Sequence, residues 1–354
     1  MKLKYLLIAY FLISIIALEA LLDIYFSKKC LFVPHSEELV YSLKPKDFAI
    51  SQSDEFYYSI NTNSLGSRQN GVSKQKFDAI FLGSFLSEGI GVQEKEIYVN
   101  RLNRSLGYKY LNLGNHKLSP ITYILYLNKF LEEYPVKEIF IELNDKDLLE
   151  NKISREKITF ANNLPLKAEK NIFVNLIGVS LYNKLSSLNI SCKLRDIFNN
   201  SELINYYKIT KSPPDKILSQ KESLIINNGK KTLFGNYEKP LYENFNQIIN
   251  HEIELNKSYF STILQLSKEK NLKINLIYIP SLAYYKECDN CKSNVYISQI
   301  KEICKKNNLN CFFLNEKLSN EQVLDYYFPG AGVLNKYGHE YLAKQLELYL
   351  KGYL

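Results

Sequence analysis

Four runs of this chain hold the residue types that acyl chemistry uses. Phe81-Leu82-Gly83-Ser84-Phe85-Leu86-Ser87-Glu88-Gly89-Ile90-Gly91-Val92 places Ser84 and Ser87 after an apolar run that ends in glycine. Asn112-Leu113-Gly114-Asn115-His116-Lys117-Leu118-Ser119-Pro120 supplies His116 and Lys117. Leu143-Asn144-Asp145 adds an amide and a carboxylate. Phe328-Pro329-Gly330-Ala331-Gly332-Val333-Leu334-Asn335-Lys336-Tyr337-Gly338-His339 adds an imidazole near the C-terminus. A hydroxyl activated by an imidazole, a carboxylate to orient that imidazole, and N–H donors for the oxyanion together make a serine hydrolase. In that chemistry Ser84 is the candidate nucleophile and His116 or His339 the candidate base. Lys117, if it faces the same cleft, binds a carboxylate or phosphate.

Each residue has a plainer reading. A serine after a strand-ending glycine caps the helix that follows, and Ser87 lies further into the turn. Asn144 at a strand-to-helix junction holds its loop through backbone hydrogen bonds. Asp145 reads as a first-turn carboxylate favoured by the helix dipole. Lys117 reads as a solvated rim residue, and His35 and His251 have no motif around them.

The elements that must position these runs follow from the hydrophobic pattern. Residues 78–83, 109–114, 138–143, 273–280 and 310–314 are short apolar runs of the buried parallel-strand type. Between them, 94–106, 120–134, 259–270, 295–306 and 337–350 have helical spacing, with Ser119 and Pro120 as N-cap and first helical residue. Strands alternating with helices predict a parallel, doubly wound sheet whose ligands sit at the carboxyl ends of the strands. The first three runs lie at such ends, and the fourth stands near the C-terminus, before the last helix. Residues 145–255 carry amphipathic stretches and few strand signals, broken at Ser212-Pro213-Pro214-Asp215, and read as a mostly helical insertion.

These four blocks, in this order, resemble the SGNH (GDSL-type) hydrolase family. The similarity spans roughly 77–150 and 259–354, and Asn63-Ser64-Leu65-Gly66-Ser67-Arg68 resembles the lead-in of its membrane-anchored bacterial members. The resemblance implies a flavodoxin-like three-layer sandwich with a five-stranded sheet. It implies ester hydrolysis or acyl transfer, often on cell-surface carbohydrate. The family's first block reads Gly-Asp-Ser-Phe-x-Glu-Gly, so without gaps Ser84 falls on its aspartate and Phe85 on its nucleophile. Lys117 falls on its oxyanion glycine, and Asn144 matches its oxyanion asparagine. The catalytic aspartate falls on Gly330 or Ala331 and the catalytic histidine on Val333. Asn335, Gly338 and His339 match the run that opens the last helix. Asn144 is therefore retained, while Phe85, Ala331 and Val333 stand where the triad belongs and have no atoms to do its chemistry.

The rest of the sequence bounds context. Net charge is +8, but the lysines are scattered among glutamates with no concentrated basic face, which argues against a nucleic-acid partner. Tyr5–Phe26 is an apolar run of 22 residues, ~33 Å as a helix, enough to cross a bilayer. With Lys2 and Lys4 before it and no clear A-x-A cleavage site, it reads as an uncleaved signal-anchor with the main domain outside the cytoplasm. Cys288 and Cys291 form a CxxC, but neither a second CxxC nor a paired histidine completes a metal site. With Cys304 and Cys311 nearby, the alternatives are one or two local disulfides, or buried thiols with one loop disulfide. No cofactor is expected. Tyr206, Tyr207, Tyr237, Tyr242 and Phe245 in the insertion offer a sugar-stacking wall.

The chain thus reads as a membrane anchor (1–30), an irregular lead-in (31–76) and an SGNH-like α/β domain (77–354), with the insertion at about 150–255. The expected function is a catalytically inactive protein that binds, or helps assemble, a cell-envelope glycan or a protein partner. The alternative is an esterase or O-acyltransferase with a serine site rebuilt around Ser84.

Overall fold

The computed structural model describes most of residues 39–69, and 76–161 apart from 117 and 156. It also describes 164–168, the short pairs 226–227 and 230–231, 239–282, 284–287, and 293–352 apart from 320 and 330. Isolated positions in the N-terminal segment complete the set.

Two strands open the described chain, β1 (Phe48–Gln52) and β2 (Tyr57–Asn61), paired as an antiparallel hairpin. Next come β3 (Ala79–Leu82), the one-turn helix α1 (Phe85–Glu88), α2 (Tyr98–Leu106), β4 (Tyr110–Asn112), α3 (Pro120–Glu133), β5 (Glu138–Leu143) and α4 (Asp147–Arg155). A second hairpin, β6 (Ile158–Ala161) with β7 (Leu164–Ala168), and a two-residue pair, β8 (Ile226–Asn227) with β9 (Lys230–Lys231), follow. Then come α5 (Lys239–Glu269), β10 (Lys273–Tyr278), α6 (Tyr284–Glu287), α7 (Ser293–Asn307), β11 (Asn310–Phe313), α8 (Val323–Tyr326) and α9 (Lys336–Leu350).

The five central strands form one parallel sheet in the order β11-β10-β5-β3-β4. Counting these strands along the chain, that order is 2-1-3-4-5, the flavodoxin-like winding, whose crevice opens between the first and third strands. Here those are β3 and β5, so Ser84 and Asn144 leave adjacent strands at the switch point. Side-chain alternation divides the core in two. Ile80, Leu82, Ile139, Ile141, Leu143 and Leu276 pack under α3, α5 and α7. Ala79, Phe81, Phe140, Ile277 and Phe312 pack under α2 and α9. The Phe81 and Phe140 rings stack at 4.6 Å across adjacent strands. This is the expected three-layer sandwich, with strand positions matching the apolar runs.

Three expectations are revised. The lead-in, read as irregular with strand-like pieces such as Phe56–Ile60, forms the β1–β2 hairpin and in addition covers the sheet's outer edge with side chains. Gln69 Nε2 donates to the Tyr110 carbonyl (2.6 Å) and Asn112 N–H donates to Gln69 Oε1 (3.0 Å), so this amide stands in for a missing strand along β4. Ser67 Oγ donates to the Asn112 carbonyl. Gly66 has φ 77°, and a Cβ there would lie 2.2 Å from the Leu43 carbonyl oxygen, so only glycine fits this turn. The insertion also contains the β6–β7 hairpin beside its helical part. Finally, the helix expected at 259–270 begins at Lys239.

Among the described residues no helix is long and apolar enough to cross a membrane. Most of the expected anchor lies outside them; Tyr5, Tyr10, Phe11 and Ile13 within it are helical and exposed. Cys304 and Cys311 form a disulfide that ties the last turn of α7 to the edge strand β11, whereas Cys288 and Cys291 lie outside the described residues.

Candidate functional site

The switch point is built around a buried carboxylate. Glu142 is the penultimate residue of β5 and points, by strand alternation, away from Ile141 and Leu143 and toward α2. Ser84 donates to its Oε1 through both the backbone N–H (3.2 Å) and Oγ (2.8 Å). Ser87 Oγ and Tyr98 Oη (3.0 Å) both reach its Oε2, and they lie 2.6 Å from each other. Those three oxygens form a closed ring, and a proton on the carboxyl would give each of its three contacts a hydrogen. Burial pushes the Glu142 carboxyl up from its ordinary pKa, and the bonds from Ser87, Ser84 and Tyr98 only partly offset this. Burial, reinforced by Glu142, likewise pushes the Tyr98 phenol well up.

Two glycines let the elements close around this carboxylate. A Cβ on Gly83 would sit 2.1 Å from Ser87 Oγ and 2.7 Å from Glu142 Oε2. A Cβ on Gly114 would meet the backbone of Ser87 and Glu88 at 2.4–2.5 Å. Strand-ending glycine here reflects crowding by α1, a direct consequence of the one-turn helix lying across the ends of β3 and β4.

Ser84 is 2% exposed and sits at the N-cap of α1, yet its side chain makes no capping bond. Besides donating to Glu142, its Oγ accepts from Asn144 Nδ2 at 2.8 Å. Asn144 also accepts from Lys146 N–H (2.8 Å) through Oδ1, an Asx turn that begins α4. Asn144 therefore does what a loop-holding asparagine does, and in addition pins Ser84.

The two histidines lie elsewhere. His116 Nδ1 is 2.8 Å from Glu88 Oε2, which also accepts the His116 N–H. Glu88 is fully buried; burial alone would raise its pKa, but His116 and Arg68 outweigh it and hold the carboxyl below the usual range. His339, 1% exposed, accepts the Tyr98 N–H at Nδ1 (3.3 Å), and its ring stacks against Tyr98. Burial depresses its pKa to about 3, so it is neutral in the fold. Among the described residues, neither imidazole is a hydrogen-bond partner of Ser84 Oγ.

Phe85, Val333 and Ala331, where the resemblance would put a triad, are packed rather than poised. Phe85 is half-buried against the α2–α9 side of the core, with the Lys146 ammonium 5.2 Å above its ring. Val333 is 6% exposed, and its carbonyl accepts the Phe328 N–H at 2.8 Å. Ala331 N–H donates to Glu55 Oε2 of the lead-in (2.7 Å), and Phe328 packs on Phe56 at 5.3 Å. Lys117 and Gly330 lie outside the described residues, as do Tyr206, Tyr207, Tyr237 and the side chains of Tyr242 and Phe245. Among the described residues no cluster of three or more histidines, cysteines or acids is arranged for a metal.

Asp145 departs from its expected role. It precedes α4, and its carboxylate accepts both the N–H and the Oγ of Ser281 at 2.6 Å, tying the end of β5 to the segment after β10. Glu142, Tyr98 and Glu88 were not singled out from the sequence. Glu142 did leave a trace, as a charged residue in an apolar strand two positions before Asn144. Arg68, 1% exposed, was noted only as part of the lead-in run. It donates to the carbonyls of Glu88 (2.9 Å), Gly89 (2.5 Å), Ser59 (3.1 Å) and Val92 (2.8 Å), binding the lead-in to the turn after α1.

No family model matches the sequence, and no curated protein matches it. Solved structures do resemble it. A psychrotrophic esterase from Pseudoalteromonas, crystallised with monoethylphosphonate, aligns over 78% of this chain and 98% of its own at 11% identity and TM-score 0.39. A member of the lipolytic G-D-S-L family from Veillonella parvula aligns over 77% and 97%, also at 11% identity and TM-score 0.39. A GDSL-like lipase from Bacteroides thetaiotaomicron aligns over 78% and 88% at 11% identity and TM-score 0.36. At this level of identity and overlap, the likeness says nothing about activity.

Proposed function

We propose that this chain is an SGNH-like, membrane-anchored protein that does not hydrolyse esters and that binds, or helps assemble, a glycan of the cell envelope or a protein partner. The observation that carries this reading is the placement of Ser84 and Phe85. The hydroxyl at the end of β3 is withdrawn into bonds with Glu142 and Asn144, and a phenyl ring under Lys146 follows it. Order and spacing of the four sequence blocks, together with the 2-1-3-4-5 winding, support the family. The apolar run at 5–26 supports the anchor. The Cys304–Cys311 disulfide supports an oxidising compartment outside the cytoplasm.

The competing reading, a hydrolase rebuilt around Ser84, needs an imidazole nitrogen within about 3.2 Å of the serine oxygen or one water away. Against it, His116 is engaged by Glu88 and His339 by the Tyr98 amide. The test is direct. The full chain in detergent should not turn over acetyl esters and should not be labelled by a fluorophosphonate probe. Stoichiometric labelling of any serine rejects the inactive reading.

A further inference from the structure

Lysines that are scattered along the chain are gathered by the fold at the amino-terminal end of the sheet, opposite the crevice. The five central strands are parallel, so all of them start there, and α2, α3, α5 and α7 each end there, just before β4, β5, β10 and β11. Lys109 precedes β4, Lys137 precedes β5 and Lys270 precedes β10, while Lys305 and Lys306 lie in the last turn of α7. All of these are exposed, and none forms an ion pair among the described residues. The helix dipole favours lysine in a last turn; Lys109, Lys137 and Lys270 stand beyond the helices. Several carboxylates at this end are engaged: Asp78 accepts the Lys109 N–H (2.8 Å), Glu138 pairs with Lys273 (2.8 Å) and Glu269 accepts from Gln265 (2.9 Å). Glu132 and Glu133 stay exposed at the end of α3, and the lysines remain in excess. Beside Lys109 stands Tyr108, 48% exposed, its ring stacked on Tyr110 at 5.6 Å. An exposed tyrosine among lysines is a side-chain set suited to a membrane–water interface.

The chain also enters the domain within reach of this end. Leu39 lies beside Tyr126 and Phe130 of α3, and Tyr126 is roughly 11 Å along the helix from its last residue, Glu133. Residues 27–38, which join the apolar run to Leu39, can span at most roughly 40 Å.

We propose that the amino-terminal end of the sheet rests on an anionic lipid surface, so that the crevice between β3 and β5 points away from the bilayer. This rests on the membrane-anchored reading above and gives the anchored domain its orientation. A tethered domain meets the bilayer at high effective concentration, so a modest patch suffices, and each lysine at an anionic surface strengthens the contact roughly fivefold. A nucleic acid would need a denser basic face.

The chain has no tryptophan, so a single indole can report on either end. Tyr108→Trp places it at the basic end, and Tyr337→Trp places it at the crevice end, at an exposed position in the first turn of α9. The full chain carrying either substitution is reconstituted into vesicles of phosphatidylcholine, alone or with about 30% phosphatidylglycerol, each with a headgroup-nitroxide lipid as quencher. In the anionic vesicles the Tyr108→Trp indole should be quenched roughly threefold more than the Tyr337→Trp indole, and the difference should vanish in 1 M NaCl, where the Debye length falls to roughly 3 Å. Combining Lys109→Glu, Lys137→Glu and Lys270→Glu should abolish the difference as well; the salt arm tests the same contact if that variant does not fold. Equal quenching of the two indoles, or quenching of the Tyr108→Trp indole that ignores phosphatidylglycerol, overturns the orientation and leaves the anchor standing as long as the chain floats with the vesicles. Release of the Tyr108→Trp indole by soluble polyphosphate, at a phosphate concentration below that of the lipid, assigns the face to an anionic polymer and overturns the lipid contact. A chain that floats with neither vesicle overturns both orientation and anchor.

Discussion

Ser84 Oγ lies 2.8 Å from Glu142 Oε1 and 2.8 Å from Asn144 Nδ2, so both capacities of the hydroxyl, donor and acceptor, are used inside the protein. The geometry makes this serine part of a strand-end lock. Removing the acceptor should therefore cost stability and not activity. Glu142→Leu leaves the Ser84 hydroxyl and N–H without that acceptor and leaves Ser87 and Tyr98 only each other, and we expect a loss of about 3 kcal/mol, read from urea unfolding. A change under 0.5 kcal/mol would mean that the lock is not formed.

The same carboxyl sets a pH dependence. Its folded-state pKa lies above the ordinary value of 4.5, so the stability it contributes is present below 4.5 and is lost as pH rises through the folded-state value. Glu142→Gln should flatten this part of the stability profile between pH 4.5 and neutrality. An unchanged slope would assign it to other groups.

His339 acts in the opposite sense. Its folded-state pKa is depressed to about 3, so its contribution is present above 6.5 and is lost as pH falls from 6.5 toward 3. Replacing it by Gln should reduce the acid sensitivity of unfolding over that range. A catalytic histidine would instead titrate near neutrality, so an NMR titration of His339 with a midpoint near 6.5 would contradict the buried assignment.

Placing a serine at position 85, where the resemblance would put a nucleophile, should not create esterase activity. Phe85→Ser places a hydroxyl there, but Val333 and Ala331 supply neither base nor carboxylate, and His116 and His339 are engaged elsewhere. Acetyl-ester turnover should stay at background. A rate more than a hundredfold above background would reveal a base that these contacts hide.

The lead-in should prove inseparable from the domain. Arg68 is buried against four carbonyls, and Gln69 pairs the outer edge of β4. Arg68→Ala should cost about 3 kcal/mol, and a chain begun at residue 77 should not fold cooperatively. A truncated protein with a sharp unfolding transition would show that the edge needs no cover.

Much of this architecture was legible in the chain because its signals are local. The five strand runs and their helices follow from the alternation of short apolar runs with helical spacing, and the Ser119-Pro120 pair marks the start of α3 by chain stereochemistry alone. The sequence by itself also shows that Phe85, Ala331 and Val333 carry no nucleophile, base or carboxylate, since that depends on residue identity alone. Which partners Ser84 would have was not local information. Glu142 is 58 residues away along the chain, and it meets Ser84 only because β3 and β5 are neighbours in the 2-1-3-4-5 order. Asp145 looked like a helix-dipole carboxylate until folding brought Ser281 to it, and Gln69 looked like loop until it lay along β4. Periodicity records which way a side chain faces; only the packed sheet decides what it faces.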